Sequence, residues 1–226
     1  METVNFVINL PDRTDRRREM EDQLRRVQWQ AQFACAPKPL DPGGFSSIGA
    51  RGCFLSHLEI LSQALLFRRH LVLMEDDLNF AGDFTYGWSR AVNALPDNWS
   101  IFYPAHSLIP AAGLHLVAPE MSLQQTHFML INKSAIPMLI EQLQAILSRK
   151  PGDPRGGPMH VDGAYSTIRK QNPDLHTYTC NPPLGYQRAS RSDVEGQRFF
   201  DMIPALRPAV AALRRVKQSL TNSSRR

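Results

Sequence analysis

Cysteine is scarce in this sequence. Cys35, Cys53 and Cys180 are the only three among 226 residues, far apart and without a CxxC pair. A scattered, odd set argues against a disulfide framework or a zinc site and predicts a reducing cytosol. Long apolar runs are also missing, and none approaches the roughly 20 residues of a membrane-spanning helix. "METVNFVINL" opens the chain with neither a basic stretch nor a cleavage site, so no secretory leader is expected. Acids are absent beyond Asp201, while Arg207, Arg214, Arg215, Lys217, Arg225 and Arg226 follow. This divides the chain into an expected domain over residues 1–198 and a basic tail over 199–226, whose helical pattern is broken by Pro204 and Pro208. The tail reads either as a solvated end or as a contact for an anionic membrane surface, at about 1 kcal/mol per basic residue near lipid. The expected location is cytoplasmic, with the inner face of the membrane as a peripheral site. Despite a formal charge of +5, no aromatic-and-basic platform accompanies the arginines, so no nucleic acid partner is expected.

What is present suits a globular domain, because 42% of residues are hydrophobic and the length allows a sizeable core. "VNFVINL" (4–10) predicts a buried strand stopped by Pro11. A helix should follow, capped by Thr14 or Asp15, with Met20, Leu24 and Val27 facing inward. Residues 29–35 suggest a second strand. Ser46 or Ser47 should begin a helix to about Arg69, with a core stripe of Phe54, Leu58, Leu61 and Leu65. Further strands are expected at 71–74, at "SIFYPA", at "LHLV" and at 125–132. Ser134 should cap a helix reaching about Arg149, with Pro137 tolerated in its first turn. A Gly/Pro-rich mobile loop (149–158), a short helix around 163–170 and a strand around 175–180 complete the pattern. Strands alternating with helices predict an α/β domain, a mainly parallel sheet with helices on both faces. Ligands of such sheets bind beyond the carboxyl ends of the strands.

Two polar clusters sit at such ends. In "HLVLMEDDLNF" (70–80) an apolar strand runs into Glu75, Asp76 and Asp77. Adjacent carboxylates repel one another unless a cation or basic groups offset them. If strand alternation persists, Glu75 and Asp77 share a side, and such a pair can hold a hard cation that also carries phosphate. A lone acid after a strand is usually a solvated turn, but three in succession are less easily explained that way. "NLPDRTDRRREM" adds Arg13, Arg16, Arg17 and Arg18 at a helix N-terminus, where guanidinium forks and backbone amides both suit phosphate oxygens. Arg17 and Arg18 read more simply as a solvated face.

"INLPDRTDRRREM", "GARGCFLSHLEIL" (49–61), "LVLMEDDLNF" and "QTHFMLINKSAIPML" (125–139) together resemble glycosyltransferase family 25, the lipopolysaccharide and lipooligosaccharide galactosyltransferases. "HVDGAYS" (160–166) and "RSDVEG" (191–196) extend the likeness in the same order. The resemblance implies a GT-A type, Rossmann-like fold and inverting transfer from a UDP-sugar donor, most often UDP-galactose, to a glycan or glycolipid acceptor. It makes Glu75 and Asp77 the outer acids of a DxD-like element for Mn²⁺ or Mg²⁺. Asn9, Leu10, Arg13 and Arg16 would lie along the nucleotide. Gly52, Ser56, His57, Asp76 and His127 would line the donor side, with Gly52 letting backbone approach ligand closely. Asp162 is the expected base, with an N-cap as its simpler role, and His160 and Asp193 are alternates for base or metal ligand. His57 and His127, within an apolar helix and strand, read first as satisfied core histidines. Two rival readings stay open: an inactive GT-A-like assembly protein at the membrane surface, and a metal-dependent phosphohydrolase using the same acids.

Overall fold

The structure, a computed structural model, describes residues 1–106 and 111–188. Asp193, the 191–196 segment and the basic tail lie outside the described residues. In chain order the elements are β1 (Thr3–Asn9), α1 (Thr14–Arg26), β2 (Gln32–Cys35), α2 (Ile48–Phe67), β3 (His70–Glu75), β4 (Leu78–Phe80) and α3 (Phe84–Ala94). There follow β5 (Ile101–Tyr103), β6 (Gly113–Val117), β7 (Phe128–Ile131), α4 (Ile136–Ser148), α5 (Val161–Gln171), β8 (Thr177–Asn181) and β9 (Gly185–Gln187).

Seven strands form one sheet in the order β2-β1-β3-β7-β5-β8-β6, and β4 pairs with β9 in a separate two-stranded sheet. β1, β2, β3, β5 and β8 share one direction, which β6 and β7 oppose. The central strands are apolar throughout because both faces are covered. Val4, Phe6 and Ile8 of β1 and Leu71 and Leu73 of β3 enter one core with Ile60, Leu61, Leu139, Leu143 and Ile168 of α2, α4 and α5. The intervening Val7, Val72 and Met74 enter the other, under Met20 and Leu24 of α1 and Phe84 and Ala91 of α3. Trp29 fills that second core, its ring 4.8 Å from Trp88 and 4.9 Å from Phe84, both edge-on. This is the predicted α/β layering, a mainly parallel sheet between helices.

Several local expectations are corrected. α1 begins at Thr14, and the position before it is Arg13, which makes no side-chain cap, so neither Thr14 nor Asp15 caps the helix. Ser47 does cap α2, accepting from the Ala50 amide at 3.0 Å. The α2 stripe shifts: Leu65 is exposed and Leu58 only half-buried, while Phe54, Ile60, Leu61 and Ala64 are sealed. α2 packs on the sheet and on α4 together, so its buried band is wider than one stripe. Ser134 is not the cap of α4, because its amide and hydroxyl both turn back to Asn132 Oδ1. Pro137 lies in the first turn of α4, as predicted. α5 starts at Val161, so Asp162 sits inside its first turn and is not its N-cap. The 149–158 loop is tied down by the Arg149 guanidinium, which donates to the carbonyls of Arg155 and Gly156. α3, β4 and β9 are additions that the sequence patterns do not predict.

Candidate active site

β1 and β3 are parallel neighbours with Ile8 beside Glu75, so Asn9 and the acid cluster open on the same sheet edge. A cleft of about 650 Å³ lies there, between the β1–α1 connection, the start of α2, the acid turn and the start of α5. Strand geometry ends at Glu75. The chain then turns, with the Asp76 amide donating to the Ile8 carbonyl at 3.1 Å. Alternation therefore does not carry to Asp77, and the three carboxylates take different partners, yet all three line the cleft.

Each acid has a separate environment. Glu75 accepts from the Thr126 hydroxyl at 3.1 Å, and its Oε1 lies 3.8 Å from His57 Nε2, a charge-pair distance too long for a hydrogen bond. Burial pushes its carboxyl up, but the neighbouring His57, His127 and the Thr126 hydroxyl outweigh this and hold it below the ordinary glutamate value. Asp76 is clamped between Arg16 Nη1 at 3.0 Å and Asn9 Nδ2 at 2.7 Å. Its burial still wins over those partners and raises it above the ordinary value. Asp77 accepts from Gln187 Nε2 at 3.1 Å, while its Oδ1 is buried without a hydrogen-bond partner. Burial first, and the charge of Glu75 second, push Asp77 up to about 7. A buried carboxylate oxygen with no donor, beside a second carboxylate that repels it, fits a divalent cation with oxygen ligands. Glu75 and Asp77 are thus compatible with the metal that the family resemblance implies.

The other expected residues divide into those that face the cleft and those that do not. Leu10, Arg16, Gly52, His127, Asp162 and His160 line it. Asn9 does not, and acts through Asp76. The Arg13 guanidinium pairs with Asp15 at 3.0 Å on the surface. Ser56 donates to the Gly52 carbonyl at 2.8 Å within its own helix, so its hydroxyl is directed away from a ligand. His57 is fully buried, with Nδ1 3.3 Å from the Tyr165 hydroxyl. His127 is buried too. Its peptide carbonyl accepts from the Glu75 amide at 2.9 Å, and burial lowers its ring to about 4, so it is neutral at pH 7. His160 Nε2 is 2.8 Å from the Ser46 hydroxyl, a link between the approach to α2 and the start of α5. Asp162 Oδ1 accepts from the Gly163 amide at 2.7 Å, in a helix first turn where the macrodipole favours negative charge.

Gly52 lies close to the chain itself. A Cβ there would stand 2.7 Å from the Pro37 carbonyl oxygen. Backbone cannot yield as a side-chain tip can, so Gly52→Ala should push the 36–39 wall into the cleft. The expected cost is about 1–3 kcal/mol of stability, read by urea denaturation. An alanine variant of wild-type stability would remove this role.

Sequence reasoning missed Thr126, Tyr165, Gln187 and Arg188. Arg188 donates through its amide to the Asp77 carbonyl at 2.7 Å and through Nη2 to the Asp76 carbonyl at 2.6 Å, and it pairs with Glu19 at 3.0 Å. The polar character of "YQR" is the one signal available there, and nothing local ties it to the acid turn.

No protein-family model matches the chain, and no curated protein matches it. Solved structures resemble it distantly. A glycosyltransferase involved in glycosylation of the PBCV-1 major capsid is 12% identical, with a TM-score of 0.42 over 85% of this chain and 95% of its own. A Drosophila β1,4-galactosyltransferase 7 mutant, solved with manganese, UDP-Gal and xylobiose, is 10% identical, with a TM-score of 0.43 over 89% of this chain and 77% of its own. Mouse xyloside xylosyltransferase 1 is 12% identical, with a TM-score of 0.36 over 77% of this chain and 71% of its own. These solved structures are glycosyltransferases, but at such distances function has to be read from the cleft itself.

Proposed function

We propose that the chain is an inverting, metal-dependent glycosyltransferase of GT-A type, taking a sugar, galactose in the first instance, from a UDP-sugar to a lipooligosaccharide or other glycan acceptor. The observation that carries this reading is convergence. The acid turn, Arg16 and Asp162 come from separate elements and border one cleft at the carboxyl edge of parallel strands, where such sheets bind ligands.

Glu75 and Asp77 would hold Mn²⁺ or Mg²⁺, whose charge offsets that of the departing UDP. Arg16, fixed by Asp76, keeps positive charge at the same edge. Leu10 and the wall at Ala36 and Pro37 give the nucleotide an apolar side. Asp162, on the α5 side of the cleft, takes the proton from the acceptor hydroxyl as its oxygen attacks the anomeric carbon. The bond to the β-phosphate oxygen breaks with its electron pair, and the anomeric configuration inverts. Contact of the basic 199–226 tail with an anionic membrane would bring a glycolipid acceptor within reach.

The deciding experiment is a UDP-sugar panel followed by mass spectrometry, with and without a chelator. UDP and glycosylated acceptor are the expected products, and both should vanish in chelator. Release of inorganic phosphate would favour the phosphohydrolase reading, and inertness toward every donor the assembly-protein reading. Asp162→Asn should lower turnover by about 10²- to 10⁴-fold with UDP affinity retained. Unchanged turnover would assign the base elsewhere.

A further inference from the structure

Glu75 has a second set of neighbours, on α2. Cys53 and His57 are four residues apart, one helical turn, so their side chains share a face. Cys53 Sγ, a ring nitrogen of His57 and a carboxylate oxygen of Glu75 all lie within 4.8 Å of one another. His57 is fully buried, and its Nε2 has no hydrogen-bond partner, although an unsatisfied buried group costs about 1–3 kcal/mol. Nε2 faces Glu75 Oε1 at 3.8 Å, and a cation between them would take the place of a proton on Nε2, while the Tyr165 hydroxyl, 3.3 Å from Nδ1, can accept the ring proton left there. An imidazole oriented in this way through its other nitrogen is the usual arrangement of a metal-bound histidine.

We propose that Cys53, His57 and Glu75 form a binding site for a borderline-soft divalent cation of the zinc class. One sulfur, one imidazole nitrogen and one carboxylate oxygen make a donor set that such a cation prefers and that Mg²⁺ does not. Cys53 and Glu75 both border the cleft, which leaves a fourth position open toward it. Tetrahedral bonds of about 2.0–2.3 Å set ligand atoms about 3.3–3.8 Å apart, so the observed spacing needs only a small closure of side chains. Burial and the charge of Glu75 push the Cys53 thiol well up, so the cation-free thiol keeps its proton. Binding replaces the S–H bond by a sulfur–metal bond and releases that proton to solvent. The rule that excludes zinc from the cysteine pattern looks for paired cysteines, and a Cys-x₃-His turn completed by a distant glutamate escapes it.

The site shares Glu75 with the proposed hard-cation pair but does not require sugar transfer, and its test needs no donor. Co²⁺ alone is titrated into the metal-stripped full chain. The expected result is a thiolate-to-cobalt charge-transfer band that saturates at one equivalent and bleaches when Zn²⁺ is added. The band should persist in Cys35→Ser and Cys180→Ser and disappear in Cys53→Ser and Cys53→Ala. Zn²⁺ should raise the melting temperature of the wild-type chain and leave that of Cys53→Ala unmoved. Absence of the band from the folded wild-type chain, or its survival in both Cys53 variants, overturns the proposal. A chain that transfers no sugar yet shows the band would refute the proposed function and leave this site standing.

Discussion

Replacing Asp77 by asparagine is expected to stop turnover and, in the same molecule, to stabilise the metal-free chain. The carboxylate is buried, its Oδ1 has no donor, and Glu75 repels it. Asparagine keeps the shape and an oxygen for Gln187, and it removes the charge. Without a cation the gain above pH 7 should be about 4 kcal/mol, the worth of a rise from near ~3.9 to about 7. Its pH dependence has a definite sign. An unfolded aspartate titrates near ~3.9, whereas folding raises Asp77 to about 7, so wild-type folding takes up a proton in between. The wild-type chain therefore loses stability relative to the variant from about pH 4 to about 7 and stays at that deficit above. Catalysis moves the other way. If Asp77 holds the proposed cation, its loss removes several kcal/mol of transition-state stabilisation, on the order of 10³-fold in rate. Urea denaturation at both ends of the pH window, beside UDP release, measures both halves. An Asp77→Asn chain less stable than wild type at alkaline pH would mean that Gln187 and Arg16 offset the carboxylate without a cation.

Arg16→Met should be the most damaging single change to stability near the site. Arg16 and Asp76 are both buried and paired at 3.0 Å, and the same guanidinium lies 3.8 Å from Asp77. Methionine preserves much of the stem packing, yet it leaves Asp76 with Asn9 and no cation. Stranding a buried charge in this way costs about 3–5 kcal/mol. Adding Asp76→Asn should recover a large part of the loss, because the penalty belongs to the abandoned carboxylate more than to the pair. Urea titrations of the wild-type chain, both single variants and the double variant close the cycle. A loss below about 1 kcal/mol in Arg16→Met would show the pair to behave like an exposed one.

The elements that could be read from sequence are those whose signal is local. β1 and β3 are rich in apolar residues because both faces are covered, with Phe6 to Ile8 and Leu71 to Met74 as unbroken runs, and α1 carries its buried Met20 and Leu24 at helical spacing. The meeting of Arg16 with the acid turn followed from the parallel-sheet rule, since both sit just past strand ends. α3 escaped notice because "FTYGWSRAVNA" mixes aromatics with a central glycine, and Gly87 is where Leu184 packs against the helix. β4 and β9 span three residues each, too few for a period to register. Ser56 and His57 stand together in a motif, yet α2 turns the hydroxyl of Ser56 onto the Gly52 carbonyl and the ring of His57 toward Tyr165 and Glu75, partners that no local pattern reveals. Arg188 could not be found, because its partners are the backbone carbonyls of a turn 112 residues earlier.

That distance orders the assembly of the molecule. During synthesis the acid turn leaves the ribosome with the first third of the chain, whereas Arg188, whose amide and guanidinium fasten its two carbonyls, emerges more than a hundred residues later. A nascent chain or a fragment ending before β9 can pair β1 with β3 and seat Asp76 on Arg16, yet it lacks the contacts of Gln187 and Arg188 to the turn. Competence at the crevice is thereby tied to completion of the polypeptide through residue 188.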